Sequence, residues 1–514
     1  MKRTRQIIIT ALLISLVVSV LEISKFTPAE KLNSLFYQIK FKIRGQSEVD
    51  SSIVFIYIDD PAIFSLGGYP LKRTYYALLI DILTQLNVKA IAFDILLTEK
   101  NLEYPERDRL LVEITKKSGR VYFGGAFAKI EKEMINTSSN LPDRFLITSA
   151  TNETKILNGS DFSAPFDELL DACAGIGHLN YISKDFPYQI PLIISTGKNK
   201  FVPSLSLELA RVYYNVKRNE IKFSNDEIFL GNKKIPAKDG KLLINYSGGT
   251  GSMKMYSFVD FVKSYDAFKN GEKTEINLQS FKDKIVFVGI YSEILGQVVE
   301  TPFEEKFPST GIHIMALNTI IQNKFLTETS PIFNFLLSLV LTFLLLYIIS
   351  NQRFSTPLKI FAIPLIFFIF LFVLTIVLFI VGFSISVYPF LSVLISSFLG
   401  IVYVFELERR KAIQIEKERQ QIEEIIKEKE NKIAELQSEI EKLKAVDDAT
   451  KVISNLEKIY DEMKELSERI DDLSEFSTED EKYENFEGII YAKGSKMEGI
   501  VSLIKKSHLR MCLF

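Results

Sequence analysis

IVFIYIDDPAIFSLGGYPLKRTYYALLIDILTQLNVKAIAFDI, residues 53–95, decides the fold of this chain. It begins and ends with short apolar runs rich in β-branched residues, at 53–59 and 89–95, which are typical of buried strands. Between them, residues 74–87 repeat apolar side chains at helical spacing. A strand, a helix and a second strand in this order predict a βαβ crossover with parallel strands, and hence an α/β domain.

Further runs of the same kinds follow along the chain. Strands are predicted at 120–127, 190–196, 241–247 and 283–291, and helices at 204–214 and 311–326. Ser204 stands at the start of the first of these helices as a predicted N-cap, because its hydroxyl can accept a hydrogen bond from a free backbone N–H. Residues 24–330 are therefore predicted to form one mixed α/β domain.

One apolar stretch precedes this domain and three follow it. The first, IIITALLISLVVSVL, comes after the basic start MKRTRQ. We interpret residues 1–23 as an uncleaved anchor, with a cleaved signal peptide as the alternative. The later stretches, each long enough to cross the hydrocarbon of a bilayer, are at 332–350, 358–381 and 387–405. Residues 331–405 are thus predicted to be three transmembrane helices, the last two joined by GFSIS in a tight hairpin.

Basic residues in the short loops indicate the orientation. They precede the first apolar stretch, flank the loop around Arg353 and follow the last stretch from Arg409 onward, whereas GFSIS carries no charge. By the positive-inside rule, both termini are predicted to be cytoplasmic and residues 24–330 extracytoplasmic. We therefore predict a multi-pass protein of the bacterial inner membrane.

The charged stretch 406–475 is predicted to be a long cytoplasmic coiled coil. Residues alternating by three and four form an a/d seam of Ile426, Lys429, Ile433, Leu436, Ile440 and Leu443. The seam resumes after Asp447 and Asp448 with its phase shifted, which is a local break in the heptad repeat. Because both copies would leave the same membrane face, the seam predicts a parallel homodimer. The alternatives are a lone charged helix and an antiparallel hairpin that folds back at the Asp pair.

The last segment, 476–514, contains FEGIIYAKGSKMEGIVSLIKK at 486–506. This stretch resembles the lead-in of the AAA+ domain of sigma-54-dependent transcriptional activators. The sequence holds no Gly-x-x-x-x-Gly-Lys-Ser/Thr, so we expect no ATPase activity, and we expect no kinase or cyclase site either. Two interpretations stay open: an output domain that has been truncated, or a natural stub that works with a separate cytoplasmic effector.

Several segments of the α/β region carry a family resemblance. In order, they are IDDPAIFSLGGYPLKRTYYALLIDIL with VKAIAFDILLTE, then FVPSLSLELARVY, then FKDKIVFVGIYSE with ETPFEEKFPSTGIHIMALNTIIQNKFL. Together they resemble the type-two CHASE family of extracytoplasmic sensory domains. That family also places one transmembrane helix before the domain and usually three after it. The resemblance implies a role in bacterial signalling, but it does not imply a ligand.

Carboxylates at the predicted ends of two strands are candidate ligand-binding residues. Asp59 and Asp60 end the first strand and Asp94 ends the second. The carboxyl ends of parallel strands open onto the usual ligand crevice, where three carboxylates would bind a cation or a polar ligand, with Arg73 as counter-charge. The alternative is structural: Asp60 begins a turn with Pro61, Asp59 caps the next helix, and Arg73 pairs with one of them.

Thr301 and His313 complete the set of candidates, because they lie in the segments that match the family. The alternative for His313 is a core or surface residue with satisfied hydrogen bonds. No histidine–carboxylate cluster has ligand spacing, so we expect neither a fixed transition metal nor a cofactor. The Gly-rich SGGTGS at 247–252 is expected to be a flexible loop, since it lacks the Gly-Lys-Ser/Thr of a phosphate loop. Cys173 and Cys512 lie too far apart in the predicted topology for a disulfide framework.

Two functional hypotheses follow from these features. The net charge of −2 gives no reason to expect nucleic acid as a partner. In the first hypothesis, a small molecule or another envelope signal acts on the exported domain, the transmembrane helices shift in the lipid, and the coiled coil carries the change inward. In the second, the protein is a membrane scaffold whose coiled coil docks a separate effector without sensing any ligand.

Overall fold

The computed structural model describes residues 2–131, 141–148, 155–183, 186–197, 199–224, 226–351, 353–444, 455, 457–469, 483–486 and 489–492. The chain divides into two compact units. One comprises Val20–Asn334 with Leu371–Tyr388, and the other comprises Met1–Ser19, Phe335–Phe370 and Pro389–Phe514. The first unit contains the predicted α/β domain, and the second is helical over most of its described length.

Twelve α-helices lie among the described elements. They are α1 (Lys2–Ile23), α2 (Thr27–Arg44), α3 (Asp60–Ser65), α4 (Arg73–Gln85), α5 (Pro105–Ser118), α6 (Asp167–Ala172), α7 (Leu205–Tyr213), α8 (Phe258–Lys269), α9 (Thr310–Ile321), α10 (Pro331–Ser350), α11 (Ile363–Val381) and α12 (Tyr388–Lys444). A π-helical turn, Leu358–Ala362, leads into α11.

The strands are mostly short. They are β1 (Ile53–Asp59), β2 (Ala90–Asp94), β3 (Val121–Glu131), β4 (Ile147–Thr148), β5 (Asn158–Ser163), β6 (Gly175–His178), β7 (Ile182–Ser183), β8 (Pro187–Pro191), β9 (Ile193–Ser195), β10 (Lys200–Pro203), β11 (Ile221–Phe223), β12 (Glu227–Leu230), β13 (Lys233–Pro236), β14 (Lys241–Leu243), β15 (Met255–Ser257), β16 (Ile285–Tyr291), β17 (Val298–Val299), β18 (Phe307–Pro308), β19 (Thr327–Glu328), β20 (Phe383–Ser384), β21 (Tyr483–Phe486) and β22 (Ile489–Ala492).

The largest sheet has a parallel half and a mainly antiparallel half. Its order is β15-β1-β16-β2-β3-β5-β9-β10-β4, and β6 also pairs with β3. The strands from β15 to β3, together with β6, run parallel. The long strand β3 joins the two halves, because its first part pairs with β6 and its second part pairs antiparallel with β5.

Helices cover both faces of the parallel strands. Alternate residues of a strand point to opposite faces, so Phe55 packs into one core while Val54 and Ile56 pack into the other. The core on the Phe55 side includes the buried residues of α7 and α9, and the opposite core includes those of α4, α5 and α8. The mixed α/β fold predicted for this region is therefore confirmed.

The sequence located most elements of this domain, but it did not predict correctly which strands are neighbours in the sheet. Strand β1 occupies the predicted residues, and Ser204 caps α7 by accepting a hydrogen bond from the Leu207 N–H at 3.1 Å. The strands β1 and β2 are parallel as predicted, yet they are not neighbours, because β16 lies between them. Sequence periodicity shows that a strand exists but not which distant strand pairs with it.

Three predicted boundaries were wrong. The run 190–196 is divided at Leu192 between β8 and β9, which belong to different sheets. The run 241–247 is strand only to Leu243. The helix predicted for 311–326 ends at Ile321, and Asn323 then takes a left-handed conformation with φ of 56°, which a continuing helix does not allow.

Four helices are long and apolar enough to cross a membrane: Thr4–Ile23, Pro331–Ser350, Leu358–Val381 and the first part of Tyr388–Glu439. They agree with the four apolar stretches of the sequence. Within the helical unit, α10 and α12 approach closely at Gly400, where an added Cβ would lie 2.8 Å from Ile349 Cδ1. Helix α12 then continues without a break from its apolar part into the charged stretch.

The charged stretch is helical in two described parts, the end of α12 and residues 457–469. On α12, Leu436 is buried and Ile433 is half-buried. The pKa of Lys432 is raised by its hydrogen bond to Glu435 and, more weakly, by charges that include Glu462. In one straight helix, thirty residues would separate Lys432 and Glu462 by about 45 Å, too far for that interaction. The two charged helices therefore lie near each other in one chain, but Asp447, Asp448 and the phase break lie outside the described residues, so the parallel and antiparallel arrangements both stay predictions.

A close contact between β6 and the start of α7 gives a stability prediction. A Cβ at Gly177 would lie 2.4 Å from Leu205 Cα and 2.5 Å from Leu205 N. We expect Gly177→Ala to lower the free energy of unfolding by about 3 kcal/mol, because backbone atoms rather than a flexible side chain must move.

The matched control is Gly251→Ala, since nothing lies within 4 Å of the Cβ that it adds. Denaturant unfolding of the full chain in detergent, followed by tyrosine fluorescence, measures both variants. Equal stability of the two variants would contradict the close packing of β6 against α7.

Candidate functional site

The carboxyl ends of the parallel strands form the edge at which the predicted site residues were expected to meet. Strand β2 ends at Asp94, which lies opposite Gly289 of β16, and β6 ends at His178. Helix α9 begins over this edge with Thr310 and carries His313 one turn later. We call Asp94, His178, Thr310 and His313 the edge cluster.

Gly289 makes this arrangement sterically allowed. A Cβ at this position would lie only 2.0 Å from Thr310 Oγ1, so any larger residue would push α9 away from the sheet. The Thr310 hydroxyl is close enough to Asp94 to lower the pKa of its carboxyl, although the two do not meet normal hydrogen-bond geometry. The absence of a side chain at Gly289 therefore leaves room for α9 to approach Asp94.

Asp94 and His313, two of the predicted candidates, do interact. The Nε2 atom of His313 lies 3.1 Å from the Leu179 carbonyl oxygen, while its Nδ1 atom is buried and has no hydrogen-bond partner among the described residues. Burial raises the pKa of Asp94, while the charge of His313 lowers it. Burial also lowers the pKa of His313, and Asp94 opposes that shift. Both shifts favour a neutral acid beside a neutral imidazole.

His178 extends the cluster through His313, and no motif in the sequence distinguished it from an ordinary core histidine. It is completely buried, and neither of its ring nitrogens has a hydrogen-bond partner of normal geometry. Burial, helped by the charge of His313, lowers its pKa well below 6.5, and the Pro191 carbonyl opposes this only partly. A buried pair of imidazoles, of which His313 also interacts with the Asp94 carboxyl, can bind a polar ligand through hydrogen bonds or can respond to pH.

The other predicted carboxylates have structural roles. Asp59 caps α3 by accepting a hydrogen bond from the Ala62 N–H at 2.9 Å, as the structural alternative supposed. Asp60 is the first residue of α3, and its carboxylate accepts a hydrogen bond from the Ser292 hydroxyl. Because β16 separates β1 from β2, these two residues do not join Asp94 in one carboxylate cluster.

Arg73 pairs with neither Asp59 nor Asp60, so both predictions about its partner were wrong. Its Nε atom lies 3.4 Å from Asp108 Oδ1, and its Nη2 donates to the Glu99 carbonyl at 3.1 Å. Asp108 is on α5, which the predicted pattern did not include. The ion pair therefore holds the start of α4 against α5 instead of contributing a counter-charge at the edge cluster.

Thr301 closes a turn and does not reach the edge cluster. Its hydroxyl donates to the Glu304 carbonyl at 3.0 Å and accepts from the Glu304 N–H at 3.1 Å. The Glu304 carboxylate in turn accepts hydrogen bonds from the N–H of Thr250, at 2.7 Å, and from its hydroxyl, at 3.0 Å. The Gly-rich segment 247–252 thus encloses a carboxylate of this chain, so it differs from the flexible loop that was expected.

A buried ion cluster of α7 was also missed by sequence reasoning. Glu208 is fully buried, and its carboxylate binds both Arg211, at 2.6 Å, and Arg218. Gly175 lies so close that an added Cβ would be 2.8 Å from Glu208 Oε1. The spacing from Glu208 to Arg211 is a helical i,i+3 pair, which is common on exposed helices and did not indicate burial. We attribute to this cluster a structural role.

The chemistry of the edge cluster is that of hydrogen bonding and proton exchange. Within the part of the chain that the structure describes, no group of three or more His, Cys, Asp or Glu side chains is arranged to hold a metal ion.

Burial raises the pKa of the Cys173 thiol to about 12, so this cysteine is not a reactive thiolate.

The fold and the edge cluster define an α/β domain with a buried polar site, attached to apolar helices. A comparison with protein-family models matches residues 9–349 to the CHASE2 domain. The match covers more than half of the chain, so the chain belongs to the CHASE2 family, whose domains are sensors typical of signalling receptors. The match extends beyond the predicted 24–330 into the flanking apolar helices. No curated protein and no solved structure matches the chain.

The buried imidazole of His178 predicts a pH dependence of stability. The unfolded chain binds a proton on this side chain below about pH 6.5, whereas the folded domain does not, so stability is lost as the pH falls. From about pH 7.5 to about pH 5.5, this histidine alone should lower the free energy of unfolding by about 1.4 kcal/mol. His178→Phe should remove that part of the decrease.

Denaturant unfolding of the full chain at several pH values measures this effect. Cys173→Ala is the control, because it also changes a buried side chain but removes no group that titrates in this range. A decrease with pH that is equally steep in His178→Phe and in the unsubstituted chain would show that His178 is protonated in the folded domain.

Proposed function

We propose that this protein is a bacterial transmembrane signal receptor: its α/β domain senses an extracytoplasmic stimulus, and α12 transmits the response into the cytoplasm. Membership of a sensor-domain family and the four apolar helices support this proposal. The positive-inside rule supports an inner-membrane position with both termini cytoplasmic. The observation that carries the proposal is the set of hydrogen bonds between the α/β domain and the link of residues 382–387, which joins α11 to α12.

The buried Lys40 of α2 is the central contact of this link. Its ammonium group donates to the Ile385 carbonyl at 2.6 Å and to the Ser384 hydroxyl at 3.0 Å. Burial lowers its pKa to about 8, partly opposed by Glu328, so it carries its charge at neutral pH. A hydrogen bond from a charged donor in a buried place is strong and directional, which suits a contact that transmits movement.

Further hydrogen bonds hold the same link. The Val387 N–H donates to Asn33 of α2 at 3.2 Å, and β19 pairs with β20 through the Thr327 N–H and the Gly382 carbonyl at 2.8 Å. A movement of α2 or β19 relative to the membrane would therefore displace the start of α12.

Asn334 connects the outer ends of two other helices to this link. Its side-chain amide donates to Glu22, near the end of α1, at 2.7 Å and to the Ser386 hydroxyl at 3.0 Å. Asn334 itself lies in the first turn of α10. The link thus meets all four apolar helices: it joins α11 to α12, and it contacts α1 through Glu22 and α10 through Asn334.

In this proposal, a single helix, α12, carries the response from the α/β domain to the cytoplasm. Helix α12 has 57 residues, which corresponds to a length of about 85 Å. We propose that its a/d seam pairs with a second copy as a parallel coiled coil in one signalling state. Because Leu436 of this seam is buried and the charge of Glu462 acts on Lys432 within one chain, we infer that the helix 457–469 moves away from the seam before two copies pair. The resemblance of residues 486–506 to an AAA+ lead-in stays a prediction and lies mostly outside the described residues.

The orientation is tested by labelling introduced cysteines with a membrane-impermeant maleimide. Leu102 is 89 % exposed in the α/β domain, and Ile413 is exposed on the charged part of α12. We expect Leu102→Cys to react in intact spheroplasts, and Ile413→Cys to react only after permeabilisation. The unsubstituted chain gives the background from the native cysteines. The opposite labelling pattern would exclude the proposed orientation and with it the receptor function.

Transmission is tested by disulfide cross-linking of Leu436→Cys in membranes. We expect Lys40→Met to change the yield of cross-linked dimer severalfold, because a hydrogen bond from a charged donor is worth about 1.5–3 kcal/mol. Lys42→Met is the matched control, since Lys42 is exposed on the same helix. If neither Lys40→Met nor Lys42→Met changes the yield of cross-linked dimer, the link does not transmit to α12, and the scaffold hypothesis is favoured.

A further inference from the structure

A cavity of about 370 Å³ lies next to the 382–387 link and apart from the edge cluster. It is lined by Arg44 at the end of α2, Asn245 after β14, Asn318 of α9, and Gln322 and Lys324 just after that helix. This volume is within the range of cavities that hold small ligands or lipid headgroups. Its lining is polar and contains two cationic side chains.

Arg44 is a partly buried cation without an acidic partner among the described residues. Its guanidinium donates to the side-chain oxygen of Asn245 and to the Tyr246 carbonyl, which are both neutral acceptors. It also lies over the ring of Phe41 at 4.7 Å. Burial lowers its pKa, opposed only by Tyr37. A charge in such a place is costly unless an opposite charge joins it.

The opposite lip of the cavity is apolar and belongs to a membrane helix. Phe379, Ile380 and Val381 line it at the end of α11, and the last two are 61 % and 68 % exposed. In the proposed topology the exposed face of α11 crosses the hydrocarbon, which would bring these side chains into contact with lipid. A ligand that fills the cavity would meet cations at one side and acyl chains at the other.

Helix α2, which carries Arg44, follows the membrane border. Helix α2 and the chain from Ile385 to Tyr388 run in opposite directions, since Glu30 contacts Tyr388, Asn33 contacts Val387 and Lys40 contacts Ile385. Apolar side chains exposed along this helix are Leu32, Leu35, Ile39 and Ile43. An apolar stripe on a helix beside the outer ends of membrane helices is suited to the headgroup–acyl boundary.

We propose that this cavity binds a phosphate-bearing anion, whose phosphate oxygens pair with Arg44 and Lys324. The planar guanidinium presents paired N–H groups that match phosphate geometry, and the ammonium of Lys324 adds a second positive charge. The apolar lip and the stripe of α2 favour the headgroup of an anionic phospholipid, while a free phosphate ester has the same polar chemistry. Binding requires no movement of the cytoplasmic helix, so it can be tested apart from signalling, but the choice of a phospholipid as the source rests on the membrane topology proposed above.

The test uses the full chain in phospholipid-free detergent micelles, with native mass spectrometry to follow bound ligand. The probes are a short-chain phosphatidylglycerol, glycerol phosphate and a short-chain diacylglycerol without phosphate. We expect phosphatidylglycerol to bind and diacylglycerol not to bind. If glycerol phosphate binds as tightly as phosphatidylglycerol, the source is a free phosphate ester; if it binds much more weakly, the source is lipid.

Arg44→Met should weaken phosphatidylglycerol binding by about tenfold or more, because it removes a charge-assisted contact. Arg44→Lys should recover only part of the affinity, since it restores the charge without the planar fork. Lys42→Met, on the same helix but outside the cavity, should bind like the unsubstituted chain. Should Arg44→Met fail to fold, as judged from its thermal transition, Lys324→Met decides, with an expected severalfold loss. Failure of the phosphate probes to bind, or unchanged affinity in the folded variants, would overturn the proposal.

Discussion

The 382–387 link is the constraint on which the rest of the structure depends. It joins two helices that are long and apolar enough to cross a membrane, and in the proposed topology it lies at the border of the hydrocarbon, where backbone N–H and C=O groups need partners because little water is available. Lys40, Asn33 and the backbone of Thr327 supply those partners from the α/β domain. The hydrogen bonds fix α2 along the link, and α2 in turn carries Arg44 to the cavity. The start of α12 is therefore determined by a domain that is distant from it in sequence.

The edge cluster and the cavity at Arg44 differ in how burial acts on their ionisable groups. At the edge cluster, Asp94 and His313 can both become neutral, so burial shifts their pKa values and no counter-ion is required. Arg44 cannot lose its proton at physiological pH, so the cost of burying it remains. The edge cluster is therefore suited to a polar ligand or to a response to pH, and the cavity at Arg44 is suited to a permanent anion.

Local patterns predicted the elements of the fold well. The apolar runs predicted β1 and β16, the helical spacing predicted α4 and α7, and the four long apolar stretches predicted the helices that are long enough to cross a membrane, because all of these depend on nearby residues. The insertion of β16 between β1 and β2 was not predicted, since hydrogen bonding between strands joins distant segments. For the same reason the sequence paired Arg73 with nearby aspartates, whereas the fold places it beside Asp108.

The sequence alone determined the kinds of segment and their order: an apolar helix, an α/β domain, three more apolar helices and a charged amphipathic helix. It also identified Asp94 and His313 as candidates, but not that they would meet. Only the tertiary structure decided that a glycine at 289 lets α9 approach Asp94 and that His178 lies near His313. It also decided that a buried Lys40 and a partly buried Arg44 lie beside a link more than three hundred residues away. Periodicity reports which face of an element is apolar, whereas the partner of a buried polar group is set by the packing of distant elements.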